Sequence, residues 1–373
     1  SFGRHLPMLE NYNREDGIGY YNFNTGAPRT SLSPLRPNPL YTGFNYRSNS
    51  VSSNYNSLVL EAQKHMGHGL QFQTSYTYSK LLDVNSELFA GCSTIGGFTA
   101  PYYYISNARP NLSHGPASFD HKHAYKFNVT YELPFFKAEK GFAGHAFGGW
   151  TLGSLLQVYS GHPVDVYVGA LGSGASTRFR ARDASGALVL DQNGVPFNLG
   201  GDYNLDGVLN DHPVFLGSSV GSAYSGGSPA DGIFKDNNQI GCGEAGLPAT
   251  VANIAACNDT LAGGTPNSLF GNPAYPSGST PYERFGDLGR NVFRGPKFIQ
   301  MDLGLSKSFK LTERIKLDFR AQAQNLTNHP DFDCINGNLV QTTFGKSQCL
   351  AQSVQGLGAP TSRIMSLGLR LAF

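Results

Sequence analysis

The densest run of oxygen-bearing side chains is Asp202-Tyr203-Asn204-Leu205-Asp206-Gly207-Val208-Leu209-Asn210-Asp211. The spacing D-x-N-x-D-G sets three oxygen donors and a sharp glycine turn around one point, which is what a hard cation such as calcium requires. Asp202, Asn204, Asp206, the Val208 carbonyl and Asp211 are therefore candidate ligands of a structural calcium ion in loop 202–211. The twelfth position is Pro213 instead of a bidentate glutamate, so the run departs from an EF-hand, and an Asx-rich turn is the competing reading. A bound ion would pin a long loop that is otherwise costly to order.

Two further constellations imply less. Gly217-Ser218-Ser219-Val220-Gly221 fits G-x-S-x-G but lies in a Gly/Ser-rich stretch, without the strand–turn–helix setting of a nucleophilic serine. Asp120, His121 and His123 could hold a metal or move protons; at the entry to a strand-like segment they read as structural groups. No residue is assigned a catalytic role, and the chain is expected not to be an enzyme.

The elements that position these residues are β-strands. Ile315, Leu317, Phe319, Ala321 and Ala323 alternate with Lys316, Asp318, Arg320, Gln322 and Gln324. Successive side chains of a strand point to opposite sides, so the segment has one apolar and one hydrophilic face. Ile299 to Leu305 repeats the pattern, as do Leu70 to Ser79, Tyr125 to Leu133 and Met365 to Phe373, with weaker versions over 58–64 and 150–160. These seven segments approach the roughly 9–11 residues with which a tilted strand crosses a bilayer.

Either the apolar faces form the core of a soluble sandwich or barrel, or they face lipid around a wet lumen. Loop lengths decide for the membrane. Connections 66–69 and 310–314 are short and 134–149 moderate, whereas 80–122, 161–298 and 325–363 are long, in strict alternation. A compact soluble domain does not hold structureless loops of that size, whereas outer-membrane barrels pair short periplasmic turns with long extracellular loops. The expected fold is all-β, an antiparallel transmembrane β-barrel segment: residues 1–54 an extracellular loop region, residues 55–373 the carboxy-terminal strands with their long loops. Tyr76, Tyr78, Tyr125, Tyr131, Phe309 and Phe373 fall near strand ends, where rings meet the bilayer interface.

Composition agrees. Charged residues are 14% and the net charge is +2, against about 25% charged residues in soluble domains. Nucleic acid is excluded as a main partner, because that affinity needs clustered Lys and Arg. No apolar run is long enough for a transmembrane helix. Residues 1–10 lack the layout of a signal peptide, so either one has been removed or the chain starts inside a longer protein.

Several stretches carry a family resemblance: Ser53-Asn54-Tyr55-Asn56-Ser57-Leu58, Gly69-Leu70-Gln71-Phe72, Ser75-Tyr76-Thr77-Tyr78-Ser79-Lys80, Phe119-Asp120 with His123, Gly148-Gly149-Trp150 and Ser160-Gly161-His162-Pro163. Gly289-Arg290-Asn291, Arg294-Gly295-Pro296, Phe319-Arg320-Ala321 and Asn325-Leu326-Thr327-Asn328-His329-Pro330 follow. In order and spacing the chain resembles the carboxy-terminal part of a TonB-dependent outer-membrane receptor, most like the Oar-like group of acidobacteria and myxobacteria. The terminal Phe373 resembles the signal read by the outer-membrane assembly machinery. Such receptors close about 22 strands around a plug, so seven strands imply a piece of a longer receptor whose amino-terminal part carries the plug and the TonB contact.

The resemblance implies uptake of an unidentified solute across the bacterial outer membrane. The alternative is a surface structural or adhesive protein that uses the barrel as an anchor. Loops that have passed through the oxidising periplasm support disulfides. Of the five cysteines, Cys242 pairs with Cys257 and Cys334 with Cys349, each pair within one loop, and Cys92 is left over. The spacings are too wide for a zinc site. Tyr102, Tyr103 and Tyr104 could stack on sugars or pack within the loop, and Lys316, Asp318, Arg320 and Glu132 are expected to hydrate the lumen, touch the plug or contact substrate.

Overall fold

The computed structural model describes residues 2–11, 21–22, 27–28, 45–84, 86, 110–135, 141–169, 211–238, 267–271, 286–339, 341–351 and 361–373, with backbone alone before residue 52 and at 110–111. Period-two alternation becomes a nine-stranded sheet, one strand of which, Gly115–Pro116, lies off the main path. The path runs through β1 (Phe2–Asn11), β2 (Asn45–Gly67), β3 (Leu70–Asp83), β4 (His123–Glu132), β5 (Thr151–Tyr159), β6 (Phe298–Lys310), β7 (Lys316–Gln324) and β8 (Ile364–Ala372). Every neighbouring pair is antiparallel. The sheet is open, with β1 and β8 at its edges.

All seven expected strands are present. The expectation of a loop over residues 1–54 is corrected at two stretches: β1 occupies Phe2–Asn11, and β2 already starts at Asn45. The alternation of β1 is broken by Pro7, and its register against β2 shifts between Leu6 and Met8. Proline has no N–H for the ladder and is tolerated at bulges and sheet edges, and this strand supplies both.

Cross-strand registers assemble one continuous apolar face. Leu60 lies opposite Tyr76, Tyr76 opposite Tyr125, and Tyr125 opposite Val158. Further on, Leu156 lies opposite Met301, Leu305 opposite Ala321, and Phe319 opposite Leu369. This face is not sealed in a dry interior: Leu58 is 55% exposed, Leu367 78% and Leu369 70%. The opposite face carries Gln73, Asn128, Gln157, Asp318 and Arg370, among others. Ten steps from Ile299 to Phe309 rise about 33 Å along the strand, or about 23 Å across the membrane at a tilt near 45°, which fits an apolar band about 25 Å tall.

One end of the sheet is closed by tight connections. His68 and Gly69, both with positive φ (56° and 81°), join β2 to β3, as a type I′ hairpin requires. Thr312 organises the β6–β7 turn, its hydroxyl accepting from the Ile315 N–H at 3.0 Å. The β4–β5 connection holds the helix α1 (Gly141–Phe147). No helix among the described residues is long and apolar enough to cross a membrane.

The larger buried core is at the other end and belongs to the loops. Val164, Val166 and Val168, then Phe234, Phe270, Phe293, Leu339 and Phe344 form one cluster to which no strand of the main sheet contributes. Phe234 stacks on Phe344 with centroids 5.3 Å apart and meets Phe293 edge-on at 5.0 Å. Such pairs add about 0.5–1.5 kcal/mol each beyond area burial. Short ladders frame the cluster: Pro163–Val164 with Phe293–Arg294, Val214–Phe215 with Phe270–Gly271, and Phe332–Ile335 with Ser347–Leu350. The last hairpin is closed by the expected disulfide Cys334–Cys349, whose Cα atoms are 5.4 Å apart. The described parts of the long loops therefore fold into a cap.

Candidate functional site at the capped end

Where cap meets sheet, buried ion pairs join a small apolar cluster in which Ala351 of the cap packs on Tyr159 and Phe298 of the sheet. Asp120, at the entry to β4, accepts the Leu81 N–H of β3 at 2.8 Å and the Arg294 guanidinium on its carboxylate. Arg294 also donates to the Asp120 carbonyl at 2.6 Å. Arg290 donates to the Asp83 carboxylate and, at 3.0 Å, to the Asp83 carbonyl. Both carboxylates are almost fully buried, a situation tolerated only when charges are paired and hydrogen-bonded.

Three histidines complete the joint. His162 Nδ1 lies 3.0 Å from the Asp333 carboxylate. His212 spans the Leu288 carbonyl (3.0 Å) and the Asp165 carboxylate (3.2 Å). His121 donates from Nδ1 to the Ser160 carbonyl at 2.7 Å, with its ring 4.4 Å from that of His162. Burial pushes the His121 pKa down, and the neighbouring His162 pushes it further. Burial alone would raise Asp165, but His212, the Asn291 N–H and Arg290 outweigh it and hold the carboxyl below its ordinary range. Gly161 is obligatory here, because a Cβ would collide with the Gly295 carbonyl.

Above this joint lies a cavity of about 620 Å³ whose wall includes Tyr224, Ile233, Arg294, Lys297, His329 and Phe332. Tyr224 accepts the Arg294 N–H at 2.6 Å, and burial raises its phenol pKa. His329 faces Asp331 at 3.0 Å, while Asp331 accepts the Ile299 N–H at 2.8 Å; burial pushes this carboxyl up. The loop that presents His329 turns at Asn325 and Asn328, both with positive φ (48° and 52°), a conformation asparagine tolerates better than most residues. The wall thus combines the rings of Tyr224 and Phe332 with the Arg294 guanidinium, the exposed Lys297 ammonium and the His329 imidazole.

The motifs Phe119-Asp120, Ser160-Gly161-His162-Pro163, Gly289-Arg290-Asn291 and Arg294-Gly295-Pro296 all meet at this joint, although the sequence disperses them. Asp120 and His121 act there as structural groups, and His123 hydrogen-bonds Tyr76 at 2.8 Å. Ser219 of the G-x-S-x-G stretch caps the short helix Val220–Ala223, its side chain accepting the Ser222 N–H. The cavity wall was not identified from sequence. Arg294-Gly295-Pro296 and His329-Pro330 belong to the stretches that carry the family resemblance, but nothing in their spacing brings them together with Tyr224 and Phe332 in one wall.

Of the candidate calcium ligands, Asp202, Asn204, Asp206 and Val208 lie outside the described residues. Asp211 is inside them and buried, and its carbonyl accepts the Val168 N–H at 2.9 Å. Among the described residues no group of three or more His, Cys, Asp or Glu could hold a metal ion. Cys92, Cys242, Cys257 and Tyr102, Tyr103 and Tyr104 also lie outside the described residues. Phe373 is 97% exposed just past β8.

No curated protein matches the chain. Among solved structures, "The crystal structure of the outer membrane transporter YddB from Escherichia coli" is similar at 7% identity and a TM-score of 0.32, over 98% of this chain. The chain spans 28% of that structure's length. The family model described as "Outer membrane beta barrel domain" matches residues 1–214 and 216–365. With an antiparallel sheet whose apolar face is turned outward and whose long loops gather at one end, the chain belongs to the outer membrane beta barrel domain family.

Proposed function

We propose that this outer-membrane barrel segment is the carboxy-terminal, non-enzymatic portion of an Oar-like TonB-dependent receptor that takes up a solute. Its long loops face the cell exterior. The observation that carries the reading is the folded cap: loop residues build their own aromatic core and a cavity of about 620 Å³ over the end opposite the tight turns. A protein that needed only an anchor has no use for loops pinned to the rim by buried ion pairs. The cap captures a neutral or anionic organic solute between Tyr224, Phe332 and the Arg294–Lys297 side. In the complete receptor, force relayed through TonB displaces the plug and lets the solute through. Phe373 marks the chain for the assembly machinery.

The coding sequence upstream of Ser1 tests this. The receptor reading expects a plug and a TonB-contacting segment there, and solute accumulation that stops when the inner-membrane proton gradient is dissipated. A barrel that closes without plug or TonB segment favours the adhesive anchor.

A further inference from the structure

Lys307 breaks the apolar face of β6. By alternation it points the same way as Leu303, Leu305 and Phe309, yet it is only 4% exposed. Its ammonium donates to the His145 and Gly148 carbonyls at the end of α1, and lies 4.7 Å from the Phe309 ring centre and 5.7 Å from that of Trp150. The helix is thereby clamped against the lipid-facing side of the sheet at the tight-turn end.

Around that clamp three further carbonyls have protein donors. The Gly144 carbonyl accepts the Gly148 N–H at 2.9 Å, that of Ala146 accepts Trp150 Nε1 at 3.0 Å, and that of Trp150 accepts the Leu133 N–H at 2.8 Å. Unpaired carbonyls cost several kcal/mol in hydrocarbon, so these pairings lower the cost of placing the end of α1 against acyl chains. The exposed side chains agree: Phe142 is 90% exposed, Phe147 63% and Phe135 61%. Between helix and sheet runs a groove of about 410 Å³ lined by Leu133, Phe135, Phe147, Trp150 and Leu305. It is continuous with the apolar face that the bilayer covers.

We propose that this groove binds one acyl chain of a phospholipid, so that the β4–β5 connection is a lipid-binding shelf that fixes the barrel's depth in its leaflet. The occupant follows from the lining: five apolar side chains offer no polar partner to a headgroup or a peptide backbone, and the groove adjoins the bilayer-facing surface. The proposal rests on the outer-membrane family and not on solute uptake.

Trp150 is the chain's single tryptophan and lines the groove, so it reports occupancy. The full chain in detergent is titrated with phosphatidylcholine brominated on its acyl chains, and Trp150 fluorescence is followed. Saturable quenching, reversed by unbrominated phosphatidylcholine, is expected. Phe147→Ala and Leu305→Ala, on opposite walls, should each weaken it roughly tenfold, whereas Phe142→Ala, outside the groove, leaves it unchanged. Quenching that rises linearly with brominated lipid, or that is the same in all three variants, overturns the site, because it reports bulk contact only.

Discussion

Arg294 and Asp120 lie 174 residues apart in the chain and form a two-point contact, guanidinium to carboxylate and guanidinium to carbonyl. Asp120 also accepts the Leu81 N–H of β3, so one carboxylate ties the cap, through Arg294, to two strands of the sheet. Arg294→Leu leaves that carboxylate buried without its cation, which costs about 3–5 kcal/mol in comparable sites. Because the ladders of β2 to β8 do not involve Arg294, the loss should be local. Limited proteolysis is expected to cut 286–297 and 325–339 more readily, with the sheet's protease-resistant core unchanged. Asp120→Asn combined with Arg294→Leu should cost less than the sum of the two single changes. Full additivity would mean that the pair is not coupled.

The Cys334–Cys349 bridge closes a loop of sequence separation 15. A loop of that size implies about 3 kcal/mol of stabilisation by restricting the unfolded segment. Reduction is expected to raise amide exchange across 332–350 while β6 and β7 keep theirs. Exchange unchanged by reductant would show that Phe344 and Leu339 hold the hairpin unaided.

The strands were legible because their signal is local: period two survives in Leu317, Phe319 and Ala321 whatever the rest of the chain does. β1 was not, since Pro7 interrupts its alternation and its pairing depends on β2. The cap was invisible for another reason. Val164, Phe234, Phe270, Phe293 and Phe344 each come from a different stretch with no periodicity, and only long-range closure brings them into one core. Lys307 is a separate case, because a single buried lysine sits on the apolar side of β6. Its ammonium is taken up by the carbonyls of His145 and Gly148, a long-range pairing that alternation alone does not carry.

The joint should weaken in mild acid. His121 has its pKa held below the ordinary 6.5, so below that pH the unfolded segment binds a proton that the folded joint resists, and stability falls as pH drops. Asp165, held low, adds a loss of the same sign that begins only near and below its ordinary 3.8. Asp331, held high, acts oppositely: between 3.8 and its raised value the folded form takes up the proton more readily, so stability rises there as pH falls. Between pH 7 and 5.5 His121 dominates, and amide exchange at 119–123 and 160–163 is expected to quicken. His121→Asn, which keeps a donor but does not titrate, should flatten that dependence; an unaltered slope would assign it to another group.

Phe373 follows β8 and is 97% exposed, packing on almost nothing. Its deletion should therefore change the folded sheet's thermal stability by less than about 0.5 kcal/mol. If the residue is an assembly signal, the yield of barrel in the outer membrane falls several-fold while material refolded in detergent melts as before. Equal loss in cells and in refolded protein would make Phe373 a structural residue.

Calcium is the last expectation with a direct test. Asp202, Asn204 and Asp206 have the spacing of a calcium loop, and Asp211 follows them as a buried residue whose carbonyl is tied to Val168. An ion bound by the first three would therefore be linked through a short stretch of chain to the aromatic cap, since Val168 belongs to its core. Chelation is expected to expose 200–215 to protease and, through Asp211, to loosen the Val168 amide as well, with micromolar to millimolar calcium restoring both. Asp206→Ala should reproduce the chelated state. Cleavage at 200–215 that is indifferent to chelator would leave that run as an Asx-rich turn, with the cap held by its aromatic core and ion pairs alone.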